Sequence, residues 1–245
     1  MRRAWIWWVV GVVMASWQMS GASVCALDDV PLEVGQDGQR ERGDGLGDCS
    51  ASEGKEEGFT PLFDGKTFDG WEGNLQIFRI EEGAIVGGRL KERVLRSELL
   101  CTRREYGDFE LRLEFKLLGQ GANAGVQIRS QRIPQHHEMI GYQADLGEGY
   151  WGCLYDESRR KKVLDGPPPE QRNQLVRPNQ WNEYRIRCQG RRIQLWINGR
   201  QTVDYTEPDE TIPQRGVIGL QIHGGPPSEA WYRNIRIQEL PATQP

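Results

Sequence analysis

The chain has 245 residues, of which 37% are hydrophobic, and a formal net charge of -4. That is enough apolar material for one large core. The charge is uneven: residues 27–58 hold ten acids against three bases, residues 1–26 hold two arginines, and the body from residue 59 is left near +1. A body so close to neutral argues against nucleic acid as the main partner, because that partner demands a basic face.

At the N-terminus, Arg2 and Arg3 precede an apolar run over residues 4–17 that is too short for a membrane span. Val24-Cys25-Ala26 offers a small-residue processing site. The expectation is an export signal over residues 1–26. The mature chain would then have no integral membrane span and be periplasmic or extracellular. A lipid-modified Cys25 is the weaker alternative, since Val24 is bulky for such a site. Residues 27–58 are rich in Gly, Asp and Glu and lack an apolar period, so they read as a disordered acidic linker. Export permits disulfides among Cys49, Cys101, Cys153 and Cys188, in any of three full pairings. Buried free thiols are the alternative, above all for Cys101 and Cys188. Without a Cys-x-x-Cys, a cysteine zinc site is not expected.

An ordered domain is expected over residues 59–240, with a tail at 241–245. Phe78 and Ile80 alternate with charged neighbours, Glu82-Gly83 turns, and residues 84–86 return. Phe109, Leu111, Leu113, Phe115 and Leu117 alternate with Glu110, Arg112, Glu114 and Lys116, the pattern of a half-buried strand. Val126 and Ile128 repeat it, as do Tyr184, Ile186 and Cys188. Leu195 and Ile197 lead into Asn198-Gly199, a strong hairpin turn. Residues 217–222 and 231–237 complete about a dozen strands, with no helix of three turns. Residues 157–179, with Asp165-Gly-Pro-Pro-Pro169, read as a long loop, and Arg159 to Lys162 as a solvated basic spot within it. Trp71, Trp181 and Trp196 have neighbours that suggest core. Strands without crossover helices pair antiparallel, as a sandwich or jelly roll of two sheets.

The stretch of residues 136–157, HHEMIGYQADLGEGYWGCLYDE, looks least like scaffold. On a strand through it, Tyr142, Ala144 and Leu146 share one face, and Gln143 and Asp145 share the other. The polar face is expected to line a concave, carbohydrate-sized site. Gln221 and His223 likewise share a face of the strand near the C-terminus. Asp145, His223 and Glu138 are the candidate catalytic groups. Arg129, Gln143 and Gln221 are candidates for binding substrate hydroxyls. Tyr150, Trp151 and Tyr155 cluster with glycines, as sugar-stacking platforms do. No cofactor is indicated with certainty. A divalent ion, calcium in particular, is compatible with such sandwiches, but no ligand spacing demands one.

Several motifs then occur in a telling order: Pro61-Leu-Phe-Asp-Gly-Lys66 with Gly70-Trp71, Tyr106-Gly-Asp-Phe-Glu-Leu111, Asn123-Ala-Gly-Val126, Gly141-Tyr-Gln143, Gln180-Trp-Asn182, Trp196-Ile-Asn-Gly199, Gly219-Leu-Gln-Ile-His223 and Tyr232-Arg-Asn-Ile-Arg-Ile237. Over roughly residues 59–240 the chain resembles the 3-keto-disaccharide hydrolase domain family, long known as domain of unknown function 1080. The resemblance implies a concanavalin A-like β-sandwich of the lectin and glucanase type, bacterial export and a role in sugar processing. It also implies cleavage of glycosides already oxidised at C3. A C3 ketone acidifies the C2 proton, so a modest base removes it while an acid helps the C1 substituent leave. Family members often carry Glu after the Gly-Tyr, whereas here Gln143 stands there and an acid appears at Asp145 instead, so either Asp145 has taken over or this branch binds without cleaving. Direct displacement needs two opposed carboxylates instead. The Glu-x-Asp-x-x-Glu pattern of sandwich glucanases begins at Glu207-Pro-Asp209 but ends on Ile212. Three readings follow: a hydrolase or lyase acting on 3-keto glycosides, a non-catalytic lectin-like carbohydrate-binding module, or a structural surface domain whose polar face is filled by its own side chains.

Overall fold

The computed structural model describes residues 58–243. The readings of an export signal and of an acidic linker up to residue 57 fall outside them. In chain order the strands are β1 (Thr60–Pro61), β2 (Trp71–Gly73), β3 (Phe78–Glu81), β4 (Ala84–Arg89), β5 (Glu98–Thr102), β6 (Phe109–Leu118), β7 (Asn123–Arg132) and β8 (Met139–Gly147). There follow β9 (Leu154–Glu157), β10 (Lys162–Asp165), the one-turn helix α1 (Pro169–Arg172), β11 (Asn182–Gln189), β12 (Arg192–Ile197), β13 (Arg200–Thr206), β14 (Val217–Ile222) and β15 (Ser228–Glu239).

The strands form two antiparallel sheets. One runs β13-β12-β11-β6-β15-β4-β3, with β1 added on β15; the other runs β10-β9-β8-β7-β14-β5-β2. The fold is therefore the all-β jelly-roll sandwich that alternation and turn chemistry predict. Phe109, Leu111, Leu113 and Phe115 of β6 point inward against Val126 and Ile128 of β7, Tyr142, Ala144 and Leu146 of β8, and Leu220 and Ile222 of β14. The hairpin turns follow their sequences: Glu82-Gly83 and Asn198-Gly199 both take positive φ, at 50° and 71° and at 49° and 77°. Two left-handed residues match the twist of the flanking strands.

Three expectations are corrected. Residues 157–179 are not one long loop, for β10 pairs with β9 and Pro169 opens α1, where its missing N–H costs nothing. Trp196 is not core, because β12 sends Ile193, Leu195 and Ile197 inward and leaves Trp196 outside, under the Arg185 guanidinium at 4.4 Å. Arg159 and Arg160 are not a solvated spot. Arg159 binds Asp156, and Arg160 bridges Asp156 and Glu207, two carboxylates with no exposed side-chain surface. Cys101, Cys153 and Cys188 are buried free thiols.

The Arg160 bridge joins the two sheets. Glu207, just past β13, accepts hydrogen bonds from Arg160 Nη2 at 2.6 Å and from the Tyr142 hydroxyl of β8 at 2.6 Å. Burial alone would raise its pKa, but these donors outweigh it and hold the carboxyl down at about 2. A depressed folded pKa stabilises above the unfolded value near 4.3, and that stability is lost as pH falls toward 2. Glu207→Gln is thus expected to lower stability at pH 7 by roughly 3 kcal/mol and to flatten the acid limb below pH ~4.5. Urea unfolding at pH 7, 4 and 3 checks this; parallel acid limbs in both proteins would dismiss Glu207 as their source.

Candidate functional site

The outer face of the seven-stranded sheet carries the side chains that alternation turns away from the core. Register places them in rows. Asp145 on β8 lies opposite Gly125 on β7, and Gly125 lies opposite Gln221 on β14. The next row runs Tyr155, Gln143, Gln127 and Gly219 across β9, β8, β7 and β14. Asp145 and Gln221 therefore flank a glycine, their backbones about 10 Å apart. Gly125 has to be a glycine: a Cβ there would sit 2.7 Å from the Gln143 side chain that lies over it. From beneath, the Tyr232 hydroxyl donates to the Gln221 carbonyl at 2.6 Å and so fixes the row from the opposite sheet.

A directed chain of hydrogen bonds crosses this face. Ser130 Oγ donates to Gln127 Oε1 at 2.7 Å, Gln127 Nε2 to Gln143 Oε1 at 2.7 Å, and Gln143 Nε2 to Asp145 Oδ1 at 2.5 Å. Asp145 is 5% exposed. Burial, reinforced by the charge of Glu157, outweighs the Gln143 hydrogen bond and pushes its pKa up to about 7. Glu157 faces the same way, two residues beyond Tyr155 on β9. Burial and the neighbouring Glu138 raise its pKa, against the pull of His223. Among the described residues none of these three carboxylates has an ion-pair partner.

Gln221 is 2% exposed, and its Oε1 is buried without a hydrogen-bond partner among the described residues. Buried acceptors are rarely left so in a folded protein unless something else satisfies them. His223 is exposed at the end of β14, with Nδ1 2.7 Å from the Gly224 carbonyl. A carbonyl only accepts, so Nδ1 carries the hydrogen and Nε2 is left toward solvent. Glu138 stands at the rim, on the β7–β8 loop, accepting from Ser158 Oγ at 2.7 Å. That loop and β5 enclose a cavity of about 330 Å³ lined by Glu98, Leu99, His136, His137, Glu138 and Met139, among others. His137 Nδ1 is buried there without a hydrogen-bond partner among the described residues.

Gln143, Asp145, Tyr155, Gln221 and His223 thus share one face, with Glu138 at its border. Tyr150 is 43% exposed, on the β8–β9 loop near enough to Tyr155 to raise its pKa further. Two expected binding residues lie elsewhere. Trp151 packs against the core, stacked on Phe115 with ring centroids 6.1 Å apart and planes at 22°. Arg129 breaks the alternation of β7: it takes φ 47° at a register shift, and its side chain turns away from the face. It donates to Asp108, Gln214 and the carbonyls of Gly107 and Gly190, with no surface left for substrate. Sequence reading missed Gln127 and Glu157. Both carry a period-two signal, Gln127 with Gly125 and Glu157 with Tyr155. No group of three or more His, Cys, Asp or Glu among the described residues is arranged to hold a metal ion.

The fold is shared by solved structures of low sequence identity. A candidate glycosyl hydrolase from Parabacteroides distasonis ATCC 8503 superposes with a TM-score of 0.58 at 22% identity, over 76% of this chain and 95% of that one. The carbohydrate-binding module CBM66 from Bacillus subtilis gives 0.52 at 15% identity, over 69% and 96%. A Bacillus subtilis protein of unknown function with a galectin-like fold gives 0.52 at 11% identity, over 76% and 96%. No functionally curated protein matches the chain. Residues 58–238 match the 3-keto-alpha-glucoside-1,2-lyase-like domain, and the chain belongs to that family.

Proposed function

We propose that this protein is a carbohydrate-active lyase or hydrolase that cleaves 3-keto glycosides by removing the C2 proton and expelling the C1 substituent. The observation that carries the reading is the Asp145–Gly125–Gln221 row. It sets a carboxyl with a pKa near 7 across one glycine from an amide with neither end hydrogen-bonded among the described residues. A base works best with a pKa near the working pH, and the C3 ketone keeps the proton within its reach. Asp145 takes the C2 proton. The electron pair left behind closes a C1–C2 double bond as the C1–O bond breaks. The departing oxygen takes a proton from Glu157, whose pKa burial and Glu138 raise, with His223 Nε2 at hand to orient it. Gln221 Nε2 donates to the developing enolate oxygen. Water then adds across C1–C2 to complete hydrolysis.

A second reading, carbohydrate binding without cleavage, draws on Gln143. It fills the place where the family often carries Glu, and it is locked between Gln127 and Asp145. A substrate deuterated at C2 separates the two. The lyase reading expects turnover of a chromogenic 3-keto-glucoside with a primary isotope effect on kcat/KM. Saturable binding of that compound without turnover points to the lectin-like reading. Turnover without any isotope effect on either kcat or kcat/KM argues against C2 proton removal as the chemical step.

A further inference from the structure

We propose a second sugar-binding site, at the end of the sandwich, built on Trp151. A cavity of about 320 Å³ opens there between β6, the start of β11 and the loops that carry Gly121, Trp151 and Val176, at the small end of the range for small-molecule sites. Phe115, Leu117 and Val176 are part of its apolar wall, and Trp151 stands over Phe115 as a nearly parallel plate. The Arg172 guanidinium holds the neighbouring loop by donating to the Gly149 carbonyl at 2.5 Å and the Pro167 carbonyl at 2.9 Å. The indole is therefore positioned by the core behind it and by a neighbouring loop that is itself tied in place.

The cavity's polar groups are unspent. Among the described residues, Trp151 Nε1, the Glu148 carboxylate and the Asn173 and Asn179 amides form no hydrogen bond to the protein, and none is among the atoms sealed from solvent. Asn182, by contrast, is fully engaged: it donates to the carbonyls of Arg177 and Gln180 and accepts from the Arg177 N–H. The wall is thus rigid and the rim is free. A pyranose has the matching chemistry, with C–H groups on its flat face for the indole and hydroxyls around its edge for an N–H, a carboxylate and two amides. Glu148 and Arg177 cancel in charge, so a neutral sugar fits better than an anionic one. An aromatic ligand would use the wall and leave the rim unpaired. No residue is shared with the Asp145 row, so this site stands whether or not the protein cleaves 3-keto glycosides. Its role would be to hold a glycan while the other face acts.

The test is fluorine NMR of protein carrying 5-fluorotryptophan, with the Trp151 signal assigned through Trp151→Phe. Methyl glucoside, methyl galactoside, methyl mannoside and phenol are titrated separately. At least one glycoside should shift the Trp151 signal saturably. Glu148→Ala with Asn179→Ala, both exposed positions, should weaken that binding at least tenfold, while Asp145→Asn leaves it unchanged. The proposal is overturned if no glycoside moves the signal or if phenol alone does. It is also overturned if the shift survives the rim substitutions, or if it disappears in Asp145→Asn.

Discussion

Asp145→Asn is expected to cut kcat/KM on a 3-keto-glucoside by about 10²–10⁴-fold, the usual contribution of a positioned acid–base group. The substitution is nearly isosteric, and the amide oxygen still accepts from Gln143 Nε2, so the hydrogen-bond chain survives. What is lost is the group proposed to take the proton. Linkage gives the same variant a second signature. The folded pKa of Asp145 lies near 7, above its unfolded value near 3.9. The folded protein therefore binds the proton more tightly than the unfolded chain, and stability drains away as pH rises from about 4 to about 7. The Asn variant escapes that loss and should be more stable at pH 8, by an amount on the order of a few kcal/mol. An inactive but stabilised variant is what a strained functional carboxyl predicts, and a turn-capping Asp predicts the reverse on both counts. The kcat/KM profile of the wild type should rise through pH ~7 as the base ionises, and Asn should abolish that limb. Undiminished turnover, or a rising limb that persists in the variant, removes Asp145 from the mechanism.

Much of the fold was legible because it rests on period two. The alternation in residues 109–117 specifies a strand with one buried face, and β6 is that strand. Asn198-Gly199 needs two left-handed residues, which few other pairs tolerate. The same period correctly pairs Gln143 with Asp145 and Gln221 with His223, since a strand has only two faces. What it cannot do is order strands laterally. That β14 would lie two strands from β8, bringing Gln221 into the row of Asp145, is a long-range fact with no local trace. Period two also fails wherever the backbone breaks it. Arg129 reads as a face residue only until the positive φ at its own position rotates it away. Trp151 fails for a different reason: it lies on a loop, where spacing carries no direction, and burial against Phe115 decided its side. Asp145 itself was legible by type and face. Its raised pKa was not, for that depends on burial beneath its neighbours and on the charge of Glu157, brought from another strand.

The turn of Arg129 creates the largest expected stability effect. Its guanidinium is fully buried and binds Asp108 at 2.7 Å, Gln214 at 2.7 Å, and the carbonyls of Gly107 at 2.8 Å and Gly190 at 2.6 Å. Asp108 in turn accepts from the N–H groups of Gly190 and Thr243, so one ion pair ties β7 to the β11–β12 turn and to the C-terminal segment. Arg129→Met has similar length, yet it leaves a largely buried carboxylate without its cationic partner and two carbonyls without the guanidinium that donates to them. Breaking a buried pair from one side typically costs about 3–5 kcal/mol, because the stranded charge keeps its desolvation penalty. For a domain of this size that corresponds to a fall in Tm of roughly 6–20 °C. Adding Asp108→Asn should recover part of the loss, since the stranded charge is then gone, and the pair is close enough to couple. If Arg129 instead contacted substrate, the Met variant would keep its stability and show a raised KM. Thermal melts of the single and double variants, set beside KM for the 3-keto-glucoside, separate the two. A drop in stability below about 1 kcal/mol together with a raised KM would return Arg129 to the substrate site.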